Sequence, residues 1–211
     1  MNPPPLLPLV LGVLLVAAGS SPPPAERPLT VTEGQLRALP GGRQRIDAPK
    51  VRAVEGGGAV GGAVREARLR FTYLGPTAKQ VPLRSGEQRR QVGLKLRARD
   101  GCNVVYVMWR LSPQPVRVVS VKANPGQTRS VQCGNGGYST VKARHQVPLP
   151  AFAQDEPHTL ATRLEGARLR VEVDGAAVWE GELPAEALAF DGPTGLRSDN
   201  GRFEVELHSG P

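Results

Sequence analysis

The sequence predicts an all-β protein, an antiparallel sandwich or barrel stapled by one disulfide. Three observations point there. Beyond residue 28, apolar and polar residues alternate with period two through roughly ten segments spaced near ten residues apart. Glycine (25) and proline (21) are plentiful, and no helical period long enough for a crossover helix occurs. The chain also carries only two cysteines, Cys102 and Cys133.

The elements follow in order. Leu6 to Gly19 (LLPLVLGVLLVAAG) is an apolar run too short for a comfortable transmembrane helix, which needs about 20 residues, and Ala17-Ala18-Gly19 supplies small side chains for a signal peptidase. Residues 1–20 are therefore expected to be a secretory signal, with an uncleaved membrane anchor as the alternative. No cysteine follows the run, which excludes a lipoprotein signal. Residues 21–28 are rich in proline, which blocks both helix and ladder, and are expected to be a linker. Residues 29–211 are expected to form one domain, long enough for a substantial core.

Within that domain LTVTEGQLRAL and PKVRAV are expected to be edge strands, and EGGGAVGG (Glu55 to Gly62) a loop. In VREARLRFTYL, Ala67, Leu69, Phe71 and Tyr73 face one way and Glu66, Arg68, Arg70 and Thr72 the other. In QVGLKLRAR, Val92, Leu94, Leu96 and Ala98 oppose Gln91, Lys95, Arg97 and Arg99. VVYVMWRL (Val104 to Leu111) has large side chains on both faces, so it belongs at the centre of a sheet or lines a groove. If Val105, Val107 and Trp109 enter the core, Tyr106 and Arg110 stand on the open face. Asp174-Gly175 turns LRVEV back into AVWEGEL, a strong hairpin signal, and RFEVEL closes the domain. Only LPAEALAF (Leu183 to Phe190) is read as a short helical turn, and Trp179 as a packing residue of its hairpin.

Export places the cysteines in an oxidising space, where a lone pair is most simply a disulfide. A zinc site would need two further ligands, and His145, His158 and His208 show no ligand spacing. The Asp residues form no calcium loop, so neither metal nor other cofactor is expected. Net charge is +8, which favours anionic partners such as acidic polysaccharide, lipopolysaccharide, cell-surface phosphate or nucleic acid. The arginines are spread along every segment, however, and nine aromatics (2 Trp, 3 Tyr, 4 Phe) with no interleaved basic run argue against nucleic acid. Once the signal is removed, no membrane span is expected.

The last third resembles a known superfamily. HTLATRLEGARLRVEVDGAAVWEGEL (His158 to Leu183) is similar to the pattern of concanavalin A-like lectin/glucanase domains, laminin-G-like and related jelly rolls. There a strand, a short turn and a "vyvDG" hairpin precede the final strands. GPTGLRSDNGRFEVEL (Gly192 to Leu207) resembles the closing segment of the same superfamily, including bacterial domains related to 3-keto-disaccharide hydrolases. The resemblance covers about 50 residues well and implies two curved sheets packed face to face, whose concave surface or rim binds saccharide. Glu172 and Asp174 are similar to the E-x-D start of the catalytic strand in family 16 glucanases. Gly175, Ala176 and Ala177 follow where that pattern carries its second glutamate, which removes the acid/base residue.

Saccharide binding needs an aromatic platform and planar polar groups. The candidate ligand-binding residues are Tyr106, Arg110, Lys122, Asn124, Asn135, Tyr138, Arg197, Asp199 and Asn200, supplied by VVYVMWRL, the loops KANPGQ and CGNGGYST, and a closing loop around Asp199-Asn200-Gly201. The turn residues among them also serve as turns on structural grounds. The expected function is an exported, non-catalytic carbohydrate-binding or surface module for a glycan such as an anionic polysaccharide. The alternatives are an enzyme on the same scaffold and a structural envelope protein that binds another protein. The enzyme would be a glycosidase or a polysaccharide lyase, the latter drawing on Tyr106, Arg110, Lys122, Tyr138 and His145.

Overall fold

The computed structural model describes residues 27–56 and 66–210. The segments expected to be the signal and most of the linker, and the greater part of EGGGAVGG, lie outside the described residues. The strands are β1 (Leu29–Glu33), β2 (Arg37–Ala38), β3 (Gln44–Ile46), β4 (Lys50–Glu55), β5 (Glu66–Pro76), β6 (Arg90–Leu96), β7 (Val104–Ser112) and β8 (Val116–Lys122). A helical turn α1 (Ser130–Cys133) precedes β9 (Tyr138–Thr140), β10 (Ala143–Gln146), β11 (Pro157–Glu165), β12 (Arg168–Val173) and β13 (Ala176–Glu182). The helical turn α2 (Ala185–Leu188) then leads to β14 (Gly195–Asp199) and β15 (Gly201–Gly210). Among the described residues no helix is long and apolar enough to cross a membrane.

Two antiparallel sheets form a sandwich. One has seven strands in the order β1-β4-β14-β6-β7-β8-β9, the other eight in the order β10-β13-β12-β11-β5-β15-β3-β2. The period-two alternation puts one row of each long strand between the sheets. From the first come Val51, Val92, Leu94, Val107, Trp109 and Leu196; from the second come Leu69, Phe71, Leu160, Leu169, Val171 and Phe203. Phe71 meets Trp109 and Phe203 edge-on, at ring separations of 5.5 and 6.0 Å. Fully burying each such side chain contributes roughly 1.5–3 kcal/mol. Trp179 is buried in the same core, as its hairpin reading required.

Four local readings need correction. β4 is an interior strand, covered by β1 on one side and β14 on the other. The alternation of QVGLKLRAR breaks at Arg97, whose φ of 50° reverses the phase. Ala98 consequently packs with Val104, Tyr106 and Met108 on the outer face rather than in the core. Gly195–Asp199 is a strand between β4 and β6 instead of a loop, so Arg197 and Asp199 project from the middle of a sheet. His145 lies on β10 of the eight-stranded sheet, away from the other lyase candidates.

Candidate functional site

The outer face of the seven-stranded sheet is the floor of a groove of about 650 Å³. Register decides what stands on that floor. Arg52 lies opposite Arg197, Arg197 opposite Gly93, Gly93 opposite Met108, and Met108 opposite Val118. In the next outward row Lys95 faces Tyr106, and Tyr106 faces Ser120. Gly93 is obligatory because a Cβ there would come within 2.1 Å of the Val107 carbonyl oxygen, so the floor is bare between Arg197 and Met108. Walls rise from β1 at Glu33, from the loop carrying Arg84, Glu87 and Arg89, and from the disulfide corner at Ser130 and Asn135.

Two arginines side by side on a sheet repel unless a counter-charge lies between them. Asp199 supplies it. Its fully buried carboxylate accepts from Arg52 Nη2 at 2.8 Å, from Arg197 Nε at 2.9 Å and from Gln91 Nε2 at 2.7 Å. Burial alone would raise its pKa, but Arg197 and Arg52 outweigh burial and hold the carboxyl below the usual carboxylate range. The reciprocal effect acts on Arg197: burial opposes its charge, yet the neighbouring Asp199 carboxylate raises the guanidinium above its ordinary value. Lys95 has no such support. Burial first, then repulsion from Arg52 and Arg197, lowers its ammonium to about 8. Burial, reinforced by Tyr138, pushes the Tyr106 hydroxyl up to about 12.

The aromatic platform is a pair. Tyr106 and Tyr138 stack with ring centres 6.2 Å apart and planes 20° from parallel, and the Arg197 guanidinium lies 5.0 Å from the Tyr106 ring. Tyr106 is buried, whereas Tyr138 is 44% exposed and presents its ring to the groove. The disulfide Cys102–Cys133 (Cα–Cα 5.9 Å) anchors the corner from which Tyr138 emerges. Lys122 Nζ fastens the two sides of that corner by donating to the Gly101 and Gly134 carbonyls at 3.1 and 2.9 Å, and it lies 5.2 Å from the Tyr138 ring.

Six of the nine candidate residues line the groove: Tyr106, Arg110, Lys122, Asn135, Tyr138 and Arg197. Asp199 lies beneath it as the counter-charge. Asn124 and Asn200 are placed elsewhere and act on the walls. Asn124 Nδ2 donates to the Cys102 and Gly136 carbonyls at 3.1 and 3.0 Å. Asn200, fully buried with φ 57°, accepts from the Val81 amide at 2.8 Å and donates to the Val81 and Arg89 carbonyls at 2.9 and 3.0 Å. It thereby pins both ends of the segment that carries Arg84 and Glu87. Sequence reasoning passed over Arg52, Lys95 and Gln91, which read as the polar side of half-buried strands. Only the strand order, which brings β4, β14 and β6 together, shows that this polar side is a floor.

The carboxylates of the VEVDG segment lie elsewhere, on the eight-stranded sheet. Asp174 closes the β12–β13 hairpin with φ 50° and accepts from the Thr159 amide at 2.7 Å. It also lies 2.8 Å from His158 Nδ1, while Glu172 pairs with Arg170 at 3.0 Å. The two glutamates that line the groove are each held against an arginine, Glu33 at 3.8 Å from Arg52 and Glu87 beside Arg89.

No protein-family model and no curated protein matches the sequence. Among solved structures the fold is similar to that of the carbohydrate-binding module CBM66 from Bacillus subtilis. The TM-score is 0.58 at 14% identity, over 87% of this chain and 95% of that one. Weaker likenesses include galectin LEC-6 from Caenorhabditis elegans (TM-score 0.43, 18% identity, 83% of this chain and 100% of that one). Another is domain 4 of AbnA, an extracellular arabinanase from Geobacillus stearothermophilus, in complex with arabinotriose (0.46, 11%, 87% and 82%). The chain thus shares the two-sheet antiparallel β-sandwich of that module, a likeness of fold alone at this identity.

Proposed function

We propose that this protein is an exported, non-catalytic carbohydrate-binding module that holds an anionic polysaccharide on the outer face of its seven-stranded sheet. The observation that carries the reading is the Tyr106–Tyr138 stack beside the Arg197 guanidinium at the floor of the groove. An exposed ring offers its face to the C–H side of a sugar, and guanidinium and amide groups serve the hydroxyl and acidic substituents. The apolar Leu6–Gly19 run and the disulfide support export to an extracytoplasmic space, secreted, periplasmic or at the cell surface. The VEVDG hairpin and the closing β14–β15 segment support membership of the concanavalin A-like superfamily, laminin-G-like branch included.

Three features favour binding over catalysis. Glu33 and Glu87, the glutamates of the groove, each lie against an arginine, so both carboxylates are engaged in ion pairs and do not form the free pair that flanks a scissile glycosidic bond. Tyr106, pushed up to about 12, is a poor base at neutral pH. Among the described residues no histidine lines the groove. A glycan array on the disulfide-intact chain at two salt concentrations tests the proposal. Acidic glycans are expected to bind with preference among sugars, and Tyr138→Ala to weaken a confirmed ligand about tenfold. Binding that ignores sugar identity and vanishes with salt, or a Tyr138→Ala variant of unchanged affinity, refutes it.

A further inference from the structure

Arg52, Arg197 and Lys95 share the outer face of the sheet with one buried carboxylate, Asp199, and Lys122 stands at the disulfide corner. Arg52 has its donors committed: Nη2 to Asp199, and Nη1 to the Ser198 and Val51 carbonyls at 3.0 Å each. Lys122 is committed to two carbonyls of the disulfide corner. Arg197 and Lys95 are different. Only Nε of Arg197 is engaged, at Asp199, and its two Nη groups make no hydrogen bond among the described residues. Lys95 does not itself line the groove; it stands beside the groove-lining Tyr106, diagonal to Arg197 across β14 and β6, and is only 6% exposed. Its ammonium has no hydrogen bond or ion pair among the described residues, and Arg52 and Arg197 are the cations that repel it. The negative charges nearby are Asp199, already shared by both arginines, and Glu33, half-exposed at the rim and 3.8 Å from Arg52. Burying an unpaired ammonium beside two guanidinium groups is costly, and an arriving anion would relieve that cost.

We infer that the Nη pair of Arg197 and the Lys95 ammonium form an oxyanion subsite, which reads the carboxylate or sulfate substituent of a glycan whose ring rests on Tyr138. The inference rests on the carbohydrate-binding reading and deepens it. Arg197 is suited to the role because Asp199 fixes its Nε edge, which leaves the terminal fork preorganised to meet two oxygens side by side. Its guanidinium lies 5.0 Å from the Tyr106 ring that stacks on Tyr138, so the ring platform and the anion subsite adjoin. Lys95 adds charge without a directional fork, which suits either oxyanion.

The test uses the disulfide-intact chain and oligosaccharides of one backbone that differ only at the substituent: uronate, its carboxyl-reduced neutral form, and a sulfated form. Titration calorimetry on the wild type is expected to favour an acidic form over the neutral one about tenfold or more. The uronate and sulfate arms show which oxyanion is the natural one. Lys95→Met, close in length and apolar, is expected to remove most of that preference while neutral-form affinity stays within about twofold. Arg197→Lys, which keeps a cation beside Asp199 but loses the fork, should lower the preference for uronate in particular. Equal wild-type affinity for neutral and acidic forms overturns the subsite and leaves the module intact. So does a Lys95→Met variant that keeps the full preference. Failure of every glycan to bind overturns both the subsite and the carbohydrate-binding reading.

Discussion

Replacing Asp199 by Asn probes the floor of the groove most directly. Asp199 is fully buried and accepts three charge-assisted hydrogen bonds of 2.7–2.9 Å, from Arg52, Arg197 and Gln91. Asparagine keeps the volume but removes the negative charge, and its amide presents N–H donors to a guanidinium that needs an acceptor. Three cations, Arg52, Arg197 and Lys95, then share this face of the sheet without a buried counter-charge. Breaking a buried ion pair from one side costs about 3–5 kcal/mol. With a urea slope of about 2 kcal/mol/M for a domain of this size, the unfolding midpoint should fall by roughly 2 M. Because the folded-state carboxyl is held below its ordinary value, its contribution is present at neutral pH. It is lost as pH falls from about 4 through the lowered value, so the gap between wild type and variant should close in acid. Adding Lys95→Met to Asp199→Asn removes one of the repelling cations. The double variant should therefore be more stable than the sum of the single changes allows, by about 1 kcal/mol. A loss below about 1 kcal/mol for Asp199→Asn alone, or strict additivity, would show that these cations are solvated rather than buried, and the electrostatic account of the floor would fail.

Other consequences are open to measurement. Lys95 titrates near 8 in the folded chain and near 10.5 unfolded. Unfolded molecules thus bind more protons across that interval, and stability should rise from about pH 8 to 10; Lys95→Met should abolish the rise and be more stable at pH 7 by up to about 3 kcal/mol. Tyr106 opposes this only above about pH 10, where the unfolded phenol ionises first. Cys102→Ser/Cys133→Ser removes a link between residues 31 apart in sequence. It should cost roughly 3–4 kcal/mol in urea denaturation, and a loss under about 1 kcal/mol would contradict the staple role. Asn200→Ala gives up three hydrogen bonds and puts a Cβ residue with no local polar partner at φ 57°. About 3 kcal/mol of stability should be lost, with faster amide exchange at the Val81 end of the groove wall. Unchanged exchange there would mean that the wall is held by something else.

Local chemistry was enough for most of the strands and for the staple. The alternation in VREARLRFTYL marks Ala67, Leu69, Phe71 and Tyr73 as one face because side chains in a strand alternate whatever the strand packs against. Asp174-Gly175 specifies its turn through backbone torsions alone, and two cysteines without metal-ligand neighbours leave one pairing. The double-sided VVYVMWRL, with Trp109 inward and Tyr106 outward, showed that the open face carries an aromatic. Pairing was a different matter. SDN has the composition of a turn, and only insertion between β4 and β6 makes Gly195–Asp199 a central strand and brings Arg197 against Arg52. Arg97 reverses the alternation because the chain must turn there, which no period reveals. Lys95, Arg52 and Gln91 have the composition of an ordinary wet strand face; they become a buried charge cluster because loops distant in sequence, pinned by Asn200 and the disulfide, wall that face in. Alternation along a strand is a property of the chain's own stereochemistry and so is written locally. The neighbours of each strand, and hence the floor of the groove, depend on contacts between residues as far apart as 52 and 197, which only the folded molecule brings together.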